Sequence, residues 1–125
     1  MFTEIRSMSF KDAVKTLKGV SGLYVCERQD NTVKCGFSTN LAFRIKGLKG
    51  LYTNLTNPRV TIAVITPKTK CGRMWFMRDV ERRFFNFLPD PCIWEEIFPC
   101  TYEAAVDHLH AFVRKYNSIR QESAT

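Results

Sequence analysis

Apolar residues recur every three or four positions in four segments of the chain, a spacing typical of amphipathic helices. The first segment follows Ser9, a candidate N-cap, and ends at Gly19. The second follows caps at 38–40 and carries its apolar residues at 41, 45 and 48. The third covers about 74–88 and is stopped by prolines. The last begins after Thr101, and the polar residues beyond 118 are expected to fray.

Four other segments are rich in residues that favour strands. Residues 22–27 and 32–35 flank a polar turn and predict a β-hairpin, and residues 59–65 and 93–98 predict two further strands. The resulting order is α-β-β-α-β-α-β-α. It predicts one α/β (α+β) domain over residues 1–125, in which a small mixed sheet of three to four strands starts with the hairpin and is flanked by helices.

Composition agrees with one globular domain, because 45% of the 125 residues are hydrophobic and 25% are charged. No apolar run approaches the roughly 20 residues that cross a bilayer, and the first ten residues lack a signal-peptide pattern. The five cysteines include no Cys-x-x-Cys pair, which favours reduced thiols in a core, although a Cys92–Cys100 disulfide stays open. We therefore expect an intracellular protein of a reducing compartment, cytoplasm or nucleus, that is neither secreted nor membrane-bound.

Positive charge is concentrated in the middle of the chain. The net charge is +7, yet residues 34–83 alone hold eleven basic residues against two acids, so the remainder is slightly acidic. Such a regional excess favours a polyanionic partner, a nucleic acid above all, over an ordinary solvated basic surface. The candidate DNA-backbone contacts are Lys46, Lys49, Lys68, Lys70, Arg73 and Arg78. Trp75 and Phe76 are candidates for stacking on bases, with core packing the expectation for at least one.

Short motifs stand in a distinctive order along the same region. The chain reads GLY at residues 22–24, KCG at 34–36 and STNLAFR at 38–44, and Glu81 follows on the third predicted helix. This order and spacing resemble the GIY-YIG nuclease superfamily, with GLY in place of GIY and KCG in place of YIG. The lysine that opens the second motif is similar to a branch found in phages and large DNA viruses. The resemblance implies a nuclease core over about 20–90 and a strand-helix extension over about 92–118.

The resemblance also implies a function and its site residues. The family hydrolyses DNA phosphodiester bonds with one divalent ion, Mg²⁺ or Mn²⁺, and the metal-binding glutamate maps onto Glu81. Arg44 matches the arginine that contacts the scissile phosphate, and Tyr24 matches the tyrosine that orients or activates water. Lys34 stands in place of a second tyrosine, where it could bind phosphate or lower the pKa of Tyr24. Phe85 stands where the related branch often has histidine.

Each of these residues also has a structural interpretation. Glu81 could pair with Arg78 on one helix face, Arg44 and Lys34 could be solvated, and Tyr24 could be a core aromatic. At the level of the whole chain, two alternatives to a nuclease stay open. One is a nucleic-acid-binding module of the same fold without catalysis, and the other is a protein-interaction adaptor with a basic face.

Overall fold

The structure is a computed structural model that describes residues 1–67 and 73–124, the last four as backbone only. Its elements are β1 (Glu4–Ser9), α1 (Phe10–Thr16), β2 (Gly22–Glu27), β3 (Val33–Ser38), α2 (Leu41–Leu48), β4 (Arg59–Val64), α3 (Arg73–Phe87), β5 (Ile97–Phe98) and α4 (Tyr102–Ala124). The fold is α+β, which confirms the predicted class. The helices and the strands β2, β3 and β4 lie close to where the apolar pattern predicts them.

The sheet is larger than predicted and begins before the hairpin. The described residues form five strands in the order β1-β4-β2-β3-β5, so the prediction of three to four strands is wrong. The additional strand is β1, whose sequence EIRSMS lacks a run of strand-forming residues. It is a strand because it pairs along its whole length with β4, much later in the chain.

The prediction of a mixed sheet is also wrong, because every pairing between the five described strands is antiparallel. The crossovers through α1 and α2 each connect strands of the same direction, as in a parallel unit. However, β4 lies between β1 and β2, and β2 lies between β3 and β4. Each of these two crossovers therefore spans an intervening antiparallel strand.

An apolar cluster covers each face of the sheet in the described part of the chain. Helices α1 and α2 pack on the face that carries Tyr24 and Cys26. Helices α3 and α4 pack on the opposite face, which carries Leu23, Val25 and Phe37. Residues 23 to 26 of β2 alternate between the two clusters, because successive side chains of a strand point to opposite faces.

The carboxyl-terminal elements differ in length from their predictions. The strand predicted over 93–98 is reduced to Ile97–Phe98, because Trp94 to Ile97 form a tight turn in which Glu95 and Glu96 have φ of 44° and 66°. Helix α4 continues to Ala124, beyond the predicted fraying point. Between them, Cys92 and Cys100 are free thiols, as are the buried Cys26 and Cys35. Within the described residues, no helix is both long and apolar enough to cross a membrane.

Candidate active site at the edge of strand β3

Tyr24 lies directly opposite Gly36 in the β2–β3 ladder, and the glycine makes room for its ring. The side chain of Tyr24 is buried and crosses the neighbouring strand. A Cβ atom at position 36 would lie 2.5 Å from the Tyr24 hydroxyl oxygen and 2.7 Å from the ring carbon that bears it. Tyr24 belongs to the first short motif and Gly36 to the second. The close approach of the two residues therefore gives a steric reason for the glycine at position 36.

Arg44 joins Tyr24 from helix α2. The apolar side of this helix, Leu41, Ile45 and Leu48, is fully buried against the sheet and fixes its orientation. Arg44 lies at the margin of that side, half-buried, and its Nε donates a hydrogen bond of 3.1 Å to the Tyr24 hydroxyl. The guanidinium therefore points into the site, so the interpretation of Arg44 as a solvated arginine is wrong.

Glu81 reaches the same place from the opposite face of the sheet. Helix α3 packs on β3, and the Oε2 atom of Glu81 accepts a hydrogen bond of 2.9 Å from the Phe37 amide. This amide can bind a side chain because the pairing of β5 with β3 covers only Val33 and Lys34. The carboxylate of Glu81 thus occupies the exposed end of the β3 edge.

The alternative pairing of Glu81 with Arg78 is not found among the described residues. Instead, Asp79 is the acid that pairs with the arginines of α3, at 2.9 Å from both Arg82 Nη2 and Arg83 Nε. This leaves the carboxylate of Glu81 to the sheet edge.

The electrostatics of Glu81 connect it with the other site residues. Burial raises the pKa of Glu81, and the negative charge of Glu96 raises it further. The Phe37 amide and the positive charges of Lys34 and Arg44 act in the opposite direction. Tyr24 lies opposite Gly36 and is bonded to Arg44, and Glu81 binds the amide of the next residue, Phe37. The three residues predicted from separate motifs therefore lie around the same two residues of β3.

Lys34 is part of the site but is not solvated, contrary to its structural interpretation. Its side chain is only 2% exposed. The ammonium donates to the backbone oxygen of Glu95 at 2.7 Å and to Oε2 of Glu96 at 3.2 Å, and it lies 4.5 Å from the ring centroid of Tyr52. A buried lysine needs such partners, since an unpaired buried charge is strongly unfavourable.

Three residues of this site are missed by sequence reasoning: Tyr52, Glu95 and Glu96. The hydroxyl of Tyr52 donates to Oε2 of Glu95 at 2.9 Å, which joins the loop after α2 to the turn before β5. The left-handed backbone of both glutamates directs this turn toward Lys34, at a cost of roughly 1 kcal/mol or more for each non-glycine residue. Their only signal in the sequence is two adjacent acids within an apolar segment that is predicted to be a strand.

The environment of Tyr24 decides its protonation state. Burial strongly raises the pKa of Tyr24, and the hydrogen bond and charge of Arg44 only partly oppose this effect. Lys34, which was predicted to lower this pKa, is not among the largest influences on it. At neutral pH the side chain is therefore a neutral phenol that can donate or accept hydrogen bonds.

The other predicted DNA contacts are exposed or lie outside the described residues. Lys46, Lys49, Arg73 and Arg78 are all exposed. Lys68 and Lys70 lie outside the described residues.

The two predicted stacking residues differ. Phe76 packs edge-on against Phe37 with ring centroids 6.3 Å apart, whereas Trp75 is 76% exposed at the start of α3. Core packing of at least one of the pair is thus confirmed, and only Trp75 remains available for stacking on a base.

The donor set at the β3 edge is suited to a hard divalent cation with few protein ligands. Glu81 is a half-buried carboxylate, and Mg²⁺ commonly binds one or two carboxylates while it keeps several waters. Within residues 1–67 and 73–124, no group of three or more His, Cys, Asp or Glu side chains could hold a metal ion. The carboxylate of Glu96 is paired with Lys34.

Comparison with known proteins finds no family model, no curated protein and no solved structure that matches this chain. Function therefore has to be inferred from the site itself, together with the order of the motifs that build it.

Proposed function

We propose that this protein is a metal-dependent endonuclease of GIY-YIG type that hydrolyses DNA phosphodiester bonds. The observation that supports the proposal is that Tyr24, bonded to Arg44, lies opposite Gly36 of β3 while Glu81 binds the amide of the next residue, Phe37. These side chains come from a strand and two helices on opposite faces of the sheet. Simple packing does not require a phenol, a guanidinium and a carboxylate to meet in this way.

Arg44 would neutralise the phosphate at the cleavage point. A guanidinium stays charged at all relevant pH values and can donate two parallel N–H bonds to phosphate oxygens. Its Nε is already oriented by the Tyr24 hydroxyl, so its terminal nitrogens are available for substrate. This preorganisation stabilises the charge that develops in the transition state.

Tyr24 would position the attacking water as a neutral phenol. Its raised pKa argues against a role as general base on its own, because deprotonation would leave a charge in a buried position. The hydroxyl can hold a water by accepting or donating a hydrogen bond while it remains bound to Arg44.

Glu81 would hold the Mg²⁺ or Mn²⁺ ion. When bound there, the ion would act as a Lewis acid and lower the cost of negative charge on the phosphoryl oxygens. Lys34 would assist indirectly, because its ammonium is paired with Glu96 and fixes the wall of the site instead of facing the phosphate.

The decisive experiment replaces Glu81 with glutamine, which keeps the size and the hydrogen-bond acceptor but removes the charge. With Mg²⁺ or Mn²⁺, we expect Glu81→Gln to reduce nicking of plasmid DNA by roughly 10³-fold or more while DNA binding changes less than twofold. Glu4→Gln, at an exposed acid of β1, is the matched control and should cut like the wild type. If Glu81→Gln cuts at the wild-type rate, the site is wrongly assigned.

The proposal as a whole fails if the wild type shows no metal-dependent cleavage of duplex, branched or single-stranded DNA. That outcome would favour the second candidate, a DNA-binding module of the same fold without catalysis. The pairing of Lys34 with Glu96 favours this candidate, because it removes one positive charge from the substrate side. Binding would then be metal-independent and salt-sensitive, and Arg44→Ala would weaken it with no activity to lose.

An endonuclease of this type would act in a reducing intracellular compartment, the cytoplasm or the nucleus. The free thiols of Cys26 and Cys35, both fully enclosed by the core, are in keeping with this proposal.

A further inference from the structure

A groove between α1, α2 and the loop before β4 lies apart from the candidate active site. Its volume is about 420 Å³, within the range of roughly 300–1,000 Å³ that is usual for ligand pockets. The loop is attached to the start of α1 by a hydrogen bond of 3.0 Å from the Phe10 amide to the Pro58 oxygen. We infer that this groove binds one nucleotide of a single-stranded flank of the DNA substrate.

The rim of the groove carries four lysines in two pairs. Lys11 and Lys15 are one helical turn apart on α1, whereas Lys46 lies in the last turn of α2 and Lys49 directly follows that helix. Side chains one turn apart share one face of a helix, so Lys11 and Lys15 present two like charges together. Like charges at such spacing destabilise a helix slightly, which makes an anionic ligand favourable there.

These lysines differ from the arginines of α3 in their partners. Arg82 and Arg83 both pair with Asp79. By contrast, none of the four rim lysines forms an ion pair within the described residues, and none of the residues that line the groove is acidic. The positive charge of the groove is therefore available to phosphate.

The floor of the groove is apolar, which argues for a base as well as a phosphate. Phe10, Ile45 and Pro58 are buried beneath it, and Val14 is partly buried at its side. A duplex keeps its bases stacked inside, whereas a single strand can turn a base toward apolar protein surface. A cationic rim above an apolar floor thus suits an unpaired nucleotide better than duplex backbone alone.

The position of the groove relative to Arg44 determines which part of the DNA it would bind. Arg44 and Lys46 are two residues apart on α2 and therefore point about 200° apart around the helix axis. A strand that contacts Arg44 needs to cross only one helix, about 10 Å wide, to reach the groove. The groove would then hold nucleotides that flank the cleavage point, so the inference rests on the proposed nuclease function.

The test measures binding without cleavage, so that its failure can be told from failure of the nuclease proposal. A fluorescein-labelled oligothymidylate is titrated with protein in EDTA, and fluorescence anisotropy gives the Kd at several salt concentrations. We expect K11Q/K15Q to raise the Kd by about tenfold and to reduce the slope of log Kd against log salt by about 1.4, since each phosphate contact in a single strand contributes about 0.7.

The matched control removes the same charge elsewhere. R114Q/K115Q alters two exposed basic residues of α4, on the other face of the sheet, and should bind like the wild type. A second probe carries abasic sites at the same phosphate spacing, and we expect the wild type to bind it several-fold more weakly. Equal Kd values for K11Q/K15Q and R114Q/K115Q would overturn the inference, as would abasic DNA that binds as tightly as its parent.

Discussion

The two faces of the sheet bury different kinds of side chain. The face under α3 and α4 is dominated by aromatic rings, and Phe112 contacts both Phe84 and Tyr116. The face under α1 and α2 buries the hydroxyl of Tyr24 and, toward the β3 edge, the ammonium of Lys34. Apolar burial is favourable without further conditions, whereas buried polar groups require partners that fix their geometry.

This difference indicates that the two faces have separate roles. The aromatic face supplies stability and carries Glu81 on one of its helices. The other face buries polar groups, which is unfavourable without partners. The hydrogen bond between the Tyr24 phenol and the Arg44 guanidinium orients both groups. Changes on the aromatic face should therefore reduce stability, whereas removal of a polar group from the other face should reduce cleavage at a smaller cost in stability.

The largest expected effect comes from Phe84→Ala. Phe84 is fully buried, and its ring centroid lies 5.4 Å from that of Phe112. Removal of the ring leaves a cavity, so we expect the free energy of unfolding in urea to fall by about 3–5 kcal/mol. Tyr24→Phe is the comparison on the other face, because it keeps the ring and removes only the hydroxyl. It should cost less than about 1.5 kcal/mol of stability yet still slow cleavage. Equal losses of stability in Phe84→Ala and Tyr24→Phe would contradict the separate roles of the two faces.

The second expected effect is kinetic. Arg44→Lys keeps the charge but removes the Nε bond to Tyr24 and the planar fork that fits phosphate. We expect the cleavage rate at saturating DNA to fall roughly 10²–10³-fold, as for loss of one oriented transition-state donor. Arg114→Lys on α4 should leave the rate unchanged. If Arg44→Lys cuts as fast as Arg114→Lys, positive charge alone is sufficient and the geometry of Arg44 is unimportant.

Many of the elements that form the two faces are predictable from the local sequence pattern. The strand-forming residues at 22–27 and the helical spacing of residues 41, 45 and 48 place β2 and α2 correctly. Strand β1 is missed because EIRSMS has no local strand signal and depends on its remote pairing with β4. The late start of β5 is missed because left-handed positions normally favour glycine or asparagine, whereas Glu95 and Glu96 occupy them here.

Some residues of the candidate site are likewise predictable from the sequence, whereas others are not. The motif order predicts Tyr24, Arg44 and Glu81, because a motif ties residue type to a position in the fold. It does not predict that Glu96 pairs with Lys34 or that Tyr52 lies over the same ammonium. Those contacts depend on a loop and a turn far apart in the chain, and neither residue belongs to a recognisable pattern.

A matched pair of glycines tests the close packing of the polar face. In Gly36→Ala, the new methyl group would meet the hydroxyl of buried Tyr24, so the ring must move from Arg44. We expect a loss of about 1–3 kcal/mol of stability, as for other overpacked sites, together with slower cleavage. Gly47→Ala lies in α2 with nothing within 4 Å of the added carbon, so it should stabilise the protein by about 0.5–1 kcal/mol. Thermal unfolding distinguishes the two, and a neutral Gly36→Ala would show that the Tyr24 ring is not confined.

The smallest effect concerns an ion pair at the far end of β2, which shows what a polar contact contributes outside the site. Glu27 accepts bonds of 2.7 Å and 3.2 Å from Arg59, and these bonds lower the pKa of Glu27. The folded state therefore binds a proton at Glu27 less readily than the unfolded chain. The resulting stabilisation is fully present above the unfolded value of about 4.3 and is lost as the pH falls through the folded pKa.

Glu27→Gln imitates the protonated acid and isolates this contribution. Arg59 is about half exposed, so water screens this ion pair. At pH 7, the free energy of unfolding in urea should therefore be higher for the wild type than for Glu27→Gln by less than about 1 kcal/mol. The difference should shrink toward zero as the pH is lowered below the folded pKa of Glu27. A difference that stays constant with pH would mean that Glu27 stabilises β2 through packing and not through its charge.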